Sequence, residues 1–491
     1  MGGVESAGQS AGPETFALAG WLFLRLLGVV YFAAFGSLAI QIRGLVGRDG
    51  LLPARELLAA RRHLGKSRFW RLPTILWINS SDVALLVLTW GGACLAVALV
   101  LGFMPIVVLA LLWIFYLSLF NVGGLFLSYQ WDVLLLETGF LALFIAPGDL
   151  LPHFPKATPP LLGVWLLWWL LFRLMFWSGA VKLRSGDSAW RKATALRYHY
   201  ETQPLPTRAA WALHHWPLQF HKVCAGIVLG IELLVPFLIF MPPSFRGLGA
   251  VLLIGLMVLI QLTGNYAFFN LLAIVLCVLL FDDRLLQPVF ARLFGGVEPM
   301  ASAPLNGLPV ILPIVATMIF LLSLDSFANL LRFEVRWPKP MARLFELLEP
   351  FHLLNSYGLF AVMTTMRPEI ILEGSHDGIS WQPYEFKWKP DDVLRAPRFI
   401  APHHPRLDWQ MWFLALGTHL RPFWFERLCQ RLLEGSPHVV GLLKTNPFPA
   451  APPKYVRGVY YDYRFTTRAE RNAAGAWWRR EPRGVFGGIS G

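Results

Sequence analysis

The stretch "PLLGVWLLWWLLFRLMFWSGAVK" (160–182) decides the fold. Only Arg173 interrupts it before Lys182, so it offers no polar face to water and exceeds the roughly 20 residues that carry a helix across a bilayer. Further runs of this kind fall near 16–42, 82–101, 104–121, 131–146, 222–241, 247–262, 265–281 and 307–325. Asp132 and Glu137 interrupt the 131–146 run, so it reads as a weak or re-entrant segment. The chain is therefore expected to be a polytopic α-helical membrane protein with about eight or nine transmembrane segments.

Composition agrees. The 491 residues are 56% hydrophobic and only 15% charged, against about 25% charge in a soluble domain. Mean hydropathy is +0.52. The first span follows Glu5 and Glu14, not a basic region, and it is too long for the apolar core of a cleavable signal. The formal charge of +13 sits in loops, where anionic lipid headgroups, not nucleic acid, are the expected partner. Cys94, Cys224, Cys277 and Cys429 form no CxxC pair, so buried free thiols are expected and neither a disulfide framework nor a zinc site follows.

With nine spans, the loops at 43–80 and 183–221 share one side with everything after residue 332. Arg43, Arg48, Arg55, Arg61, Arg62, Lys66, Arg68 and Arg71 occupy the first loop, and Arg184, Arg191, Lys192, Arg197 and Arg208 the second. Charge bias alone would place this side in the cytoplasm. Residues 1–15 read as an N-terminal tail and 16–332 as the transmembrane domain. Residues 333–469 read as an α+β, sheet-rich extramembrane domain, and 470–491 as a flexible tail. Within that domain "PEIILEGSHDGISWQPYEFKWKP" (368–390) sets Asp377-Gly378 between two strand-like runs. Tyr384, Phe386 and Trp388 alternate with charged residues, the period-two pattern of a sheet with one buried face. Residues 407–420 and 425–435 read as helices, and "KYVRGVYYDYRFT" (454–466) as another strand.

Charged groups inside spans cost at least about 2.5–3.5 kcal/mol, so they pair or line a cavity. Asp132 and Glu137, five positions apart, lie about 140° apart on a helix. They require separate partners, for which Arg173 and Arg25 are the candidates within spans. The competing reading is a polar cavity. Lys182 also carries two readings. It snorkels to the headgroups, or, beside Arg184 and Asp187 and one turn after Gly179, it is a base or nucleophile in a semi-apolar niche. "YHYETQPLP" (198–206) adds His199 and Glu201. His214, His215 and His221 read as an interfacial aromatic and histidine belt, with a metal site as the alternative.

There is no Walker A loop, GxGxxG, GxSxG or HExxH. The blocks "NVGGLFLSYQWDVLLLETGFLALFIAP" (121–147), "LLFRLMFWSGAVKLRSGDSAW" (170–190), "IELLVPF" (231–237), "LTGNYAFFNLL" (262–272), "EIILEGSHDGISWQPYEFKWKP" (369–390) and "APHHPRLDWQMWF" (401–413) resemble, in order, those of the lipase maturation factors. The resemblance implies a folding and assembly factor for secreted lipases or similar client proteins, with no cofactor. It implies the endoplasmic reticulum membrane in a eukaryote and a lumenal C-terminal domain, against the charge bias. In a bacterium the corresponding places are the inner membrane and the periplasm. Client contact is expected first at the hairpin (Tyr384, Phe386, Trp388) and at His403, His404, Arg406 and Asp408. "FWSGAVKL…GDSAW" is also similar to the stretch of vitamin K-dependent carboxylases that holds their catalytic lysine. That likeness implies the alternative, an integral-membrane enzyme using Lys182.

Overall fold

The computed structural model describes residues 14–155, 158–295, 311–331, 333, 337–417 and 422–490. Helices α1 (Ala17–Ala39), α2 (Asp82–Leu101) and α3 (Pro105–Gly123) precede the shorter α4 (Gln130–Ala142) and the long α5 (Leu161–Arg184). After α6 (Ala195–Thr202) come α7 (Leu218–Leu234), α8 (Pro243–Thr263), α9 (Phe269–Val278) and α10 (Leu312–Leu331). All nine expected apolar segments are thus helical. Six helices among the described residues are long and apolar enough to cross a membrane: α1, α2, α3, α5, α8, and α7 with its extension to Phe240. Of the other three, α4 and α9 are shorter, and α10 contributes a shorter apolar helix over Leu312–Asp325.

Local signals set the ends of α2. Ser81 accepts a hydrogen bond from Ala84 N at 3.3 Å at its start, and Gly102, at φ 93°, stops it in the left-handed region. Small residues let α1 and α2 touch. A β-carbon on Gly28 would meet Val100 N at 2.9 Å, and one on Gly92 would meet the Phe35 ring at 2.5 Å. Without a hydrophobic drive between helices in lipid, such close packing is what holds them together.

The C-terminal domain is an antiparallel sheet of β1 (Arg367–Ser375), β2 (Gln382–Phe386), β3 (Leu443–Thr445), β4 (Tyr455–Phe465) and β5 (Trp478–Ser490), in the order β3-β2-β1-β4-β5. The β1–β2 turn forms at Asp377-Gly378 as the sequence predicts. Gly378 takes φ 74°, and Asp377 Oδ1 accepts from Ile379 N and Ser380 N at 2.8 and 2.7 Å. Helices α11 (Arg406–Leu416) and α12 (Phe423–Leu433) pack on the sheet. The expected flexible tail is corrected: residues 468–474 form helix α13 and β5 pairs along β4 from Phe465↔Trp478 to Tyr455↔Ser490. Gly-rich composition hid a strand whose order comes from tertiary pairing.

The bundle and the sheet domain are joined through α4. Arg406 donates to both oxygens of buried Asp132 at 2.8 and 2.9 Å, and Tyr116 donates to the same carboxylate. On the other face of α4, Glu137 pairs with Arg173 and accepts from Asn355 N (3.0 Å), Asn355 Nδ2 (3.1 Å) and Tyr357 OH (2.7 Å). The expectation of two separate partners holds, with one correction. Asp132 takes Arg406 from the outer domain, and Arg25 instead lies over the Trp21 ring at 4.9 Å. Both long loops touch the sheet domain as well. Ser436 donates to Asp49 O at 2.9 Å, Trp412 to Thr202 O at 2.9 Å and Trp211 to Thr466 O at 3.1 Å.

Two predictions follow from these buried charges. Asp132→Asn leaves the Arg406 guanidinium uncompensated and is expected to cost about 3–5 kcal/mol. Loss of monodisperse, thermally stable protein in detergent is the readout, and a fully stable Asp132→Asn variant would contradict the pairing. Burial pushes the Asp408 carboxyl up to about 6, although its Oδ1 accepts from Trp388 N and Lys389 N. A raised carboxyl destabilises the fold once it must ionise, so its contribution worsens between about pH 4 and pH 6. Asp408→Asn keeps the acceptor oxygen. Its melting temperature is expected to exceed that of the parent chain at pH 7.5, by up to about 3 kcal/mol equivalent, and to match it near pH 4.

Candidate functional site

Lys182 comes from the last turn of α5 and Glu232 from the last turn of α7. Gly179, one turn before the lysine, lets the helices approach: a β-carbon there would meet Leu233 Cγ at 2.8 Å and Glu232 Cβ at 3.0 Å. Lys182 Nζ then reaches both Glu232 oxygens, at 2.5 and 2.6 Å, and the two side chains are 7% and 5% exposed. An ammonium on the outermost turn of a span ordinarily snorkels to water. Here it turns inward, with the Trp190 ring 5.2 Å away and Trp190 itself held by a 2.9 Å bond to Phe360 O.

The pair lines a cavity of about 420 Å³, within the ~300–1,000 Å³ range of small-molecule sites. Apolar side chains of α5, α7 and α8 form most of the wall. His199, Tyr200, Tyr266, Ser178 and Thr263 join Lys182 and Glu232 in its polar lining. Tyr266 OH donates to Gln203 Oε1 at 2.7 Å and lies 3.1 Å from His199 Nε2. With its proton spent on Gln203, the hydroxyl accepts from His199, which assigns the proton of that neutral ring to Nε2. Burial and the Lys182 charge lower the His199 pKa to about 4, so the ring is uncharged at neutral pH.

Of the residues singled out in the sequence, Lys182 and His199 meet here. Asp132, Glu137 and Arg173 belong to the α4 junction. Asp187 accepts from Ala189 N at 2.8 Å and Met363 N at 2.5 Å, fastening the chain that leads to the sheet. Glu201 accepts from Phe465 N at 2.7 Å, and Arg184 is exposed at the end of α5. The expected client-contact residues are mostly turned inward. Tyr384, Phe386, His404, Arg406 and Asp408 are buried. Trp388 is half-buried, and His403 Nδ1 lies 2.9 Å from Ser37 Oγ of α1. His403, His404 and Arg406 bond to Ser37, Gln41 and Asp132 of the bundle, whereas Tyr384 packs on Phe448 and Asp408 accepts from Trp388 N and Lys389 N within the C-terminal domain. His215 and His221 bond to Trp211 O and Trp216 O at 2.7 and 3.1 Å. Among the described residues no three His, Cys, Asp or Glu side chains are placed to hold a metal.

Sequence reasoning missed Glu232 and Tyr266. The signal for Glu232 was present: it is the lone carboxylate of the run 222–241. Tyr266 carried none, since an aromatic beside a span end is commonplace.

Breaking the pair provides a test of its strength. Lys182→Met strands the Glu232 carboxylate and is expected to cost about 3–5 kcal/mol, whereas Lys182→Met with Glu232→Leu recovers most of that loss. Thermal unfolding in detergent checks both, and a single variant as stable as the parent would refute the pairing.

Comparison with known proteins places this geometry. Residues 18–288 match the family model of the lipase maturation factor transmembrane domain, and residues 353–487 that of the lipase maturation factor C-terminal domain. The chain is 37% identical over 571 aligned positions to lipase maturation factor 2 of Gallus gallus, covering 94% of this chain and 79% of that protein. It is 36% identical over 576 positions to lipase maturation factor 2 of Homo sapiens, covering 94% and 81%. It is also 36% identical over 509 positions to lipase maturation factor 1 of Bos taurus, covering 96% and 89%. No solved structure matches.

Proposed function

We propose that this chain, which belongs to the lipase maturation factor family, is a membrane-anchored folding factor for secreted lipases or similar clients. The observation that carries the reading is that both family domains occur in order and are tied together at α4, by the buried Asp132–Arg406 ion pair and by the hydrogen bonds of Asn355 and Tyr357 to Glu137. A client captured by the sheet domain is thereby held at a fixed station on the membrane surface, not on a tether. An incompletely folded lipase exposes apolar surface and aggregates; a holder that covers such surface counters this. The sheet domain lies in the lumen of the endoplasmic reticulum in a eukaryote, or in the periplasm of a bacterium, where secreted clients fold.

Since Tyr384 and Phe386 face inward, client contact falls to exposed apolar side chains of the same domain. Ile379, at the tip of the β1–β2 hairpin, is 83% exposed, and Val485 on edge strand β5 is 64% exposed. A second reading, the membrane enzyme, is favoured by one observation: Lys182 lines a cavity and is buried there. Under it the Lys182→Met/Glu232→Leu variant folds but fails in maturation; under the first reading that variant still works.

Ile379→Asp with Val485→Asp is expected to lower secretion of active co-expressed lipase several-fold at unchanged abundance of this chain. Unchanged lipase secretion would overturn the contact assignment. A reporter at the C-terminus that lights only in the cytosol would overturn the orientation.

A further inference from the structure

We propose that the cavity beside Lys182 binds one uncharged, single-tailed membrane amphiphile whose head offers hydroxyl or carbonyl groups. The inference is independent of the client reading, because it rests on the cavity alone. Four observations carry it.

The first is the wall. Met175, Ile227, Val228, Ile231, Leu256 and Ile260 are among the apolar side chains that make up most of the lining, a surface that suits hydrocarbon. The second is the door. Ile227 and Leu259 both line the cavity and are 54% and 63% exposed. They sit on α7 and α8, helices of membrane-spanning character, so the solvent at that opening is lipid and the ligand enters sideways from the bilayer. The third is size. About 420 Å³ is near the lower end of small-molecule sites, room for one tail and not for a two-tailed phospholipid.

The fourth is the head. Lys182 and Glu232 neutralise each other at 2.5 Å, and His199 is uncharged and bonded to Tyr266. A carboxylate or phosphate head would be set against Glu232, and an ammonium head against Lys182. Each would have to break a buried pair, which is unfavourable. A hydroxyl or carbonyl head, such as that of a monoacylglycerol, bonds to the existing donors and acceptors and disturbs no charge.

The test uses the full chain in lipid nanodiscs with three photoreactive probes: a diazirine monoacylglycerol, a diazirine fatty acid and a diazirine phosphatidylcholine. The monoacylglycerol probe is expected to label peptides of 218–234 and 243–263 saturably and to be competed by unlabelled monoacylglycerol. Val228→Trp fills the cavity, and labelling is expected to fall about tenfold, equivalent to about 1.4 kcal/mol. Ile231→Phe, a milder filling, replaces it if Val228→Trp does not fold. Glu232→Gln frees the Lys182 charge, and the preference is expected to swing towards the fatty acid. Labelling that does not saturate, persists in the filled variants, or is as strong with phosphatidylcholine would overturn the site. A parent chain that prefers the fatty acid, or a Glu232→Gln variant with unaltered preference, would overturn the assignment of the head.

Discussion

The structure depends on what happens to two carboxylates on one short helix. Asp132 and Glu137 are both fully buried, and their five-residue separation aims them at different neighbours. Neither charge is tolerable in an apolar interior without a partner. Two partners, Arg173 and Tyr116, lie within the membrane bundle; the others, Arg406, Asn355 and Tyr357, come from chain that follows the last span. The bundle therefore cannot satisfy α4 by itself. The C-terminal region completes the electrostatics of the membrane domain, and this fixes where the sheet sits and which loops it touches.

The Lys182–Glu232 pair obeys the same constraint with a different result. At α4 the carboxylates also accept from Tyr116, Asn355 and Tyr357. Beside Lys182 the ion pair meets an open, largely apolar volume between α5, α7 and α8. The first arrangement suits a joint between domains, the second a recognition site. Both are built from charges that hydropathy alone would count as defects of a span.

Much of the architecture was legible in the sequence. The nine apolar segments, the Asp377-Gly378 hairpin and the alternation of Tyr384 and Phe386 depend on local periodicity, and each is found in place. That Arg173 serves one of the two buried carboxylates followed from the cost of burying charge; which of them it takes, Glu137, is seen only in the structure. What local pattern could not supply was distance. Arg406 lies 274 positions from Asp132, and its sequence neighbours His403, His404 and Asp408 look like a surface loop until the sheet closes over them. Strand β5 is invisible for a related reason, since "RGVFGGIS" (483–490) has weak strand preference and is ordered by β4. The cavity required knowing that Gly179 brings α7 against α5.

One continuous buried core includes Leu135 of α4, Leu171 of α5, Leu372 of β1 and Met411 of α11. Its continuity bears on how the protein is inherited and made. A break anywhere between the last span and β1 would leave both fragments with raw, unmatched interiors, so neither half can be shuffled onto another protein as a free-standing module. During synthesis the membrane portion also emerges first with its acidic helix still unanswered. It must wait for the end of the chain before it is finished.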